Sequence, residues 1–446
     1  MVVSLDTLMD SGLGEHSAQD VERWLFLNAI TVESTVTLER LTLTMSVSAT
    51  EGGLAKALQF AHLVLSSPRF DPDAFARTLK DNEIEDEHRC MSLASKTWTT
   101  LMLDAMGGDA RFQPLGRDKL GAIDREKASQ ALLAALVPHR LEVTVVGDYA
   151  ETGQELEDLL LLYLGTVASP LPADHPSLQH AAQVLHDRHH PARRLPIAAM
   201  LPHSAPTRDP KQWTLSLKTV TLPDEEPRAV INMCFRTIGY YGQEGQGKFL
   251  SAGGNVRLSR AFFVLTKVLD NRMHDQLREK LGLGYVASFG NVCYTMLDGG
   301  FCYLNLTAFP ERVDETVEAA MSFLRDLETK KVTESELRRA RDPIVANREA
   351  SLASNATWQG YLTDLQQPCI PKSLGDIKEV YDHFESVSLA EVNQACHLCI
   401  RPGHVWAVAG VTTVIKSEIT EGGVTKAEGG GVKAEITEAG VIKAEG

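Results

Sequence analysis

The stretch LREKLGLGYVASF, residues 277–289, holds two polar side chains with chemical reach, Arg278 and Tyr285. A helical pattern runs into Gly282, turns at Gly284 and continues as a strand-like pattern carrying Tyr285. Together the two residues have the look of half an active site. Each also has a plainer role on spacing alone. Arg278 at a helix C-terminus complements the helix dipole, and Tyr285 packs in a sheet. The question the stretch raises is where the other half of such a site would lie.

Metal chemistry is the first place to look. An inverted zinc motif, His-x-x-Glu-His, puts two imidazoles on one helix face with a glutamate between them as general base. The nearest approach is IEDEH, residues 84–88, with Ile84 in place of the first histidine, followed by Glu87 and His88. One imidazole does not anchor zinc, so the stretch reads as a solvated acidic helix face. His186, His189 and His190 in HDRHH lie in a Pro-rich segment without a nearby cysteine or fixed carboxylate, and read as a loop. The CHLC at Cys396–Cys399 has redox or zinc spacing, but Leu389, Val392, Cys396 and Cys399 share one helical face, so core packing is expected. No G-x-x-x-x-G-K-[ST] or G-x-S-x-G occurs. The chain is therefore expected to hold no cofactor or metal of its own.

The elements that must position Arg278 and Tyr285 follow from periodicity. Residues 17–30 read as a helix capped by Ser17 with Asp20. STVTLERLTLTMSVSA alternates as two strands, and GLAKALQFAHLVLSS is an amphipathic helix. More helix follows through the double glycine at 107–108 and over REKASQALLAALVP. RLEVTVVGDYA then reads as a buried strand, and GQELEDLLLLYLGTV as a helix. In a second block QWTLSLKTVTL and RAVINMCFRTIG are strand-like. Apolar residues at 258, 262, 265, 269, 273, 277 and 281 mark a long helix, buried on one face. GYVASFGNVCY and GGFCYLNLTAF form a hairpin. A helix begins near Pro310, Thr333 and Glu336 open another through a capping box, and SLAEVNQACHLCI and HVWAVAGV close the block as helix and strand. Both blocks end as helix then strand, so the chain reads as two copies of one α+β fold. The boundaries are 1–168 for the first domain, expected to be incomplete at its N-terminus, and 169–215 for a Pro/His-rich linker and crossing segment. The second domain spans 216–412 and a tail spans 413–446.

Composition bounds the partners. A formal net charge of −15 disfavours nucleic acid, which needs clustered Lys and Arg, and suits basic peptides. Seven cysteines, an odd number spread over the chain, argue against a disulfide framework and for a reducing compartment. No apolar run reaches the roughly 18–20 residues of a membrane span. The first 22 residues carry no Lys or Arg, which speaks against a signal or transit peptide and for an intracellular chain. The tail repeats Val-x-Lys-x-Glu units with glycine and no aromatic residue, so disorder is expected there. Its IKSE, VKAE and IKAE units have the form of a modification target, a match that low-complexity repeats also create by accident.

LDNRMHDQLREKLGLGYVASF resembles the hallmark of the even-numbered domains in the pitrilysin/insulinase family of zinc metallopeptidases. TESELRRARDPI resembles that family's next helix, VTVVGDY the strand closing a preceding domain, and ALQFAHLVLSSPRFDPDAFART a further family pattern. YLGTV and SNATWQGYLTDLQ resemble the C-terminal half of plastid stromal processing peptidases. The resemblance covers roughly residues 1–412. It implies four related α+β domains in two halves that close around an unfolded peptide. It also implies a zinc motif in the other half, plastid stroma as a compartment, and a role for this half as chamber wall and strand edge. By position in the motif, Arg278 and Tyr285 match the arginine and tyrosine that donate hydrogen bonds to the substrate carbonyl and its oxyanion. The departure is the missing zinc motif: zinc and its ligands are expected in a partner half. The alternative is a non-catalytic peptide-binding or assembly subunit with the same fold.

Overall fold

The structure is a computed structural model. It describes residues 1–37, 40–48, 52–109, 112–137, 141–149, 153–168, 195–196, 212–237, 254–280, 282, 286–293, 297–298, 300–327, 329–366 and 373–414, with the side chains of 195–196, 254–255, 278–280, 293, 297–298 and 414 excepted. The histidines of HDRHH, most of the expected linker and the repeat tail lie outside the described residues.

The N-terminal part opens with helices α1 (Val2–Asp10) and α2 (Ala18–Leu27). The expected capping box forms at α2: Ser17 Oγ accepts from the Asp20 N–H, and the Asp20 carboxylate accepts from the Ser17 N–H at 3.2 Å. The two expected strands are β1 (Ile30–Val36) and β2 (Leu41–Val47), which pair antiparallel with Ile30 opposite Val47. Helices α3 (Gly53–Ser66), α4 (Pro72–Met91), α5 (Leu93–Ala105), α6 (Gly116–Gly121), α7 (Arg125–Leu133) and α8 (Gly153–Tyr163) follow. Ser92 separates α4 from α5 by capping the second, its Oγ accepting from the Ser95 N–H at 3.3 Å. Leu5, Leu8, Phe60, Val64, Leu132 and Leu136 make one buried core against the hairpin.

One expectation fails here. Residues 141–149, read as a buried strand, are half-buried at most positions and carry no ladder. Leu141 does pack on the first core. Alternation specifies which face is buried, but a strand also needs a neighbour to take its N–H and C=O groups, and the pattern does not supply one.

The second part is built on a five-stranded sheet of β4 (Thr214–Asp224), β5 (Ala229–Thr237), β6 (Ala287–Cys293), β8 (Gly300–Ala308) and β9 (His404–Val414), in the order β4-β9-β5-β8-β6. Only β4 and β9 run parallel; the rest are antiparallel. A two-residue parallel pair, β3 (Leu195–Pro196) with β7 (Leu297–Asp298), lies apart from it. The helices are α9 (Gly254–Met273), continued by a π-helix His274–Lys280, then α10 (Val313–Asp326), α11 (Glu334–Ala346), α12 (Arg348–Leu352), α13 (Asn355–Leu362), α14 (Leu374–Lys378), α15 (Val380–Glu385) and α16 (Leu389–Cys399). Alternate strand residues Ile231, Met233 and Phe235 with Leu304 and Leu306 face α9, whose Leu265 and Leu269 are fully buried. At about 25 cal/mol per Å² of apolar surface, such a core is the main favourable term for the fold. Both parts contain a helix, then a hairpin, then further helices.

The sheet's other face is covered from the N-terminal part. Leu101, Met102, Ala105 and Met106, on and just after α5, pack on Cys234, Phe301, Trp406 and Val408. Gly410 allows the approach, since a Cβ there would lie 2.2 Å from Thr97 Oγ1.

Two charged residues fasten α9 to α11. Arg272 donates through Nε and Nη2 to the two carboxylate oxygens of Glu336 at 2.5 and 2.9 Å, and to the Lys330 and Lys331 carbonyls. Hydrogen bonds from Arg272 hold the Glu336 carboxyl down to about 2, and the Thr333 cap adds to them. A depressed carboxyl contributes stability above the unfolded glutamate range, and that contribution is lost as pH falls through about 2. Glu336→Gln is therefore expected to lower the melting temperature at pH 7. The gap to wild type should narrow steadily as pH falls from about 5 toward 2. Melting curves of both proteins across that range check it, and a gap that stays constant contradicts it.

Candidate functional site

The site is built where α9 gives way to the π-helix and then to β6. Asp270 Oδ1 accepts from the Phe289 N–H at 2.9 Å, and Thr266 Oγ1 donates to Asn291 Oδ1 at 3.2 Å, so the helix and the strand leaving it are tied together. Asp275, in the π-helix, pairs with Arg339 of α11 at 3.2 Å. Leu277 is buried next to Arg278 in sequence and anchors the π-helix to the core. Short π turns within α-helices are frequent at functional sites.

Gly282, two residues past the π-helix, has φ +58, a left-handed conformation that favours glycine, with open space where a Cβ would stand. Its carbonyl accepts from Arg312 Nη1 at 3.1 Å. At Val286 the N–H donates to Thr307 Oγ1 at 2.9 Å, and the Thr307 N–H donates to the Val286 carbonyl at 3.0 Å. β6 then pairs with β8, Ala287 opposite Leu306, and among the described residues has no second partner strand. The backbone of Arg278 lies on the π-helix; its side chain and all of Tyr285 lie outside the described residues.

The other sequence candidates take ordinary places. On α4, Ile84, Glu87 and His88 are exposed, and Glu87 pairs with Arg117 at 3.0 Å. Cys399 is buried in the second core and Cys396 packs against it, its thiol pushed up to about 11 by burial. Among the described residues no three His, Cys, Asp or Glu side chains gather as a metal ion requires. No described helix is long and apolar enough to cross a membrane. Sequence reading missed Arg312, Thr307 and Asp275, because their partners are set by the fold. The one local signal is the charge of Asp270, Arg272 and Asp275 along an apolar helix.

The family profile described as the peptidase M16 inactive domain matches residues 122–344, half of the chain. The chain belongs to the M16 peptidase family. This is the pitrilysin/insulinase resemblance carried by the motif around Arg278 and Tyr285. The M16 chain is 28% identical over 426 residues to the chloroplastic stromal processing peptidase of Arabidopsis thaliana, covering 88% of this chain and 32% of that protein. It thus spans about a third of the length of the curated relatives it matches. In fold it is similar to the M16 inactive domain of Pseudomonas fluorescens, with TM-score 0.67, 15% identity, and 93% and 88% of the two chains covered. It is also similar to the ferredoxin protease FusC solved with Arabidopsis ferredoxin, with TM-score 0.66, 15% identity, and 92% and 40% covered.

Proposed function

We propose that this chain is the non-metal-binding half of an M16 zinc metallopeptidase, closing on a zinc-bearing half around an unfolded peptide. The observation that carries the reading is the motif's setting. A π-helix, a left-handed glycine and a strand with one partner strand among the described residues follow along the chain, held by Asp270, Arg312 and Thr307, in a chain of the inactive-domain type. The chain's share of its relatives, 32% of the stromal processing peptidase and 40% of the ferredoxin protease, supports a half rather than a whole enzyme.

In this reading the other half would hold zinc, which would supply Lewis-acid chemistry for water and the scissile carbonyl. This chain's task is to donate. Arg278 and Tyr285 supply hydrogen bonds to the carbonyl oxygen and to the negative charge it gains, in a site from which closure excludes water. Among the described residues β6 has no second partner strand, and that side, apart from the Phe289 N–H held by Asp270, is the proposed edge on which an extended peptide binds as an added strand. The relatives' chloroplast location makes the plastid stroma the proposed compartment. The test is peptide hydrolysis by the assembled enzyme carrying Tyr285→Phe. A large fall in turnover is expected, and unchanged turnover removes the catalytic role.

A further inference from the structure

We propose that residues 352–366 of the second part form a strap that clasps the β1–β2 hairpin of the N-terminal part, with Asp364 as its hook and Arg40 as its catch. The strap is rooted in the second core, against which Leu352 and Tyr361 pack. Trp358 Nε1 donates to the Leu352 carbonyl at 2.8 Å and its ring meets Tyr361 edge-on, so α12 and α13 hold together. The hairpin is rooted in the first core through Val32, Leu43 and Met45. Between the two, Arg40 Nη2 donates to Asp364 Oδ2 at 2.8 Å. Longer contacts flank that pair. Gln359 Nε2 donates to Thr44 Oγ1 at 3.3 Å, and the Gln366 N–H donates to Glu142 Oε1 at 3.4 Å.

Backbone geometry sets both ends of the clasp. At the hairpin the Thr37 N–H donates to the Arg40 carbonyl at 2.8 Å, and the Arg40 N–H donates back to Thr37 Oγ1 at 3.1 Å. At the strap α13 ends on Thr363, with φ −56 and ψ 137, Asp364 follows with φ +65, and the Leu365 N–H donates to the Leu362 carbonyl at 3.1 Å. These are the marks of a type II turn, whose third residue needs a positive φ and is usually Gly or Asn. Aspartate there carries a backbone strain that glycine avoids. What it adds is a carboxylate, and the carboxylate meets Arg40. With 14% of the Asp364 side chain exposed, water and salt screen the pair less than they would at the open surface. α5 already joins the two parts at the sheet, and the strap ties them a second time through the hairpin. The plainer reading is an incidental ion pair. Many such pairs contribute nothing measurable, and one of that kind gives the hairpin no added protection.

The two readings separate in the full chain. Hydrogen exchange of the hairpin amides, 30–36 and 41–47, is measured for wild type, Arg40→Ala, Asp364→Asn, Asp364→Gly and the double variant Arg40→Ala/Asp364→Gly, with melting temperature alongside. Each single change is expected to speed hairpin exchange about fivefold, the loss of one charged hydrogen bond, while α5 and β5 keep wild-type protection. The double variant is expected to go no further than either single change, since both remove the same contact. Asp364→Gly keeps the turn, and relief of its strain offsets the lost pair, so its melting temperature is expected close to that of wild type. Wild-type hairpin exchange in the single variants overturns the proposal, as do effects that multiply in the double variant. A lower melting temperature in Asp364→Gly with faster exchange through α5 and β5 also overturns it, because the contact is then a general stabiliser and not a clasp on the hairpin.

Discussion

Tyr285→Phe is expected to lower turnover by the assembled peptidase on the order of 10²–10³-fold, with KM little changed and the melting temperature that of wild type. That range is what one lost oxyanion donor costs when the donor is pre-aimed in a water-excluded site. The substitution removes one hydroxyl and keeps the ring, so packing is preserved. The interaction strengthens only as charge builds on the carbonyl oxygen, which is why kcat falls and KM does not. Arg278→Ala is expected to act in the same direction. The double variant should lose less than the product of the two losses if, as proposed, both donors serve one oxygen. Steady-state kinetics on an unfolded peptide check all three. Wild-type kcat in Tyr285→Phe contradicts the role.

The second large effect is on stability. Arg257 and Glu391 form an ion pair with both side chains almost fully buried. Arg257 Nη2 donates to Oε1 and Oε2 at 2.8 and 2.9 Å, and Nη1 donates to Ser386 Oγ at 2.7 Å and to the His383 carbonyl at 3.1 Å. Glu391 Oε2 also accepts from the Ser388 N–H and hydroxyl, closing the cap of α16. Removing one partner strands the other charge in the interior, at about 3–5 kcal/mol. Glu391→Gln and Arg257→Met are each expected to destabilise by that amount in urea unfolding. Replacing both residues with methionine is expected to cost less than the two single changes together, since no uncompensated charge remains. Additive losses contradict the pairing.

Local signals in the sequence translated well. The capping boxes at Ser17, Thr333, Ser373 and Ser388 are i,i+3 arrangements, and sequence reading named two of the four. The π-helix was present in the sequence in a form easy to overlook. From Leu265 the apolar positions step by four residues, 269, 273, 277 and 281. In an α-helix each such step overshoots a full turn by about 40°, so the stripe would rotate off the core. From His274 the chain adopts the wider π turn, and Leu277 stays buried. Long-range partners left no such trace. Arg257 and Glu391 are 134 positions apart, and no periodicity links them. Nor does the apolar face of α5 state which sheet it covers, and it covers the second domain's. Residues 141–149 show the reverse: read as a buried strand, they are half-buried at most positions and carry no ladder.

The most direct test of the account is the size and zinc content of the native particle, using an antibody to residues 414–446 for capture and detection. If this chain is half of a metallopeptidase, the captured particle holds about one zinc per copy. It then shows either a band of roughly twice 48.9 kDa or more, or a 48.9-kDa band with an equimolar zinc-bearing chain. A 48.9-kDa band alone, free of zinc and of any such chain, contradicts the account and leaves a peptide-binding protein on a peptidase fold.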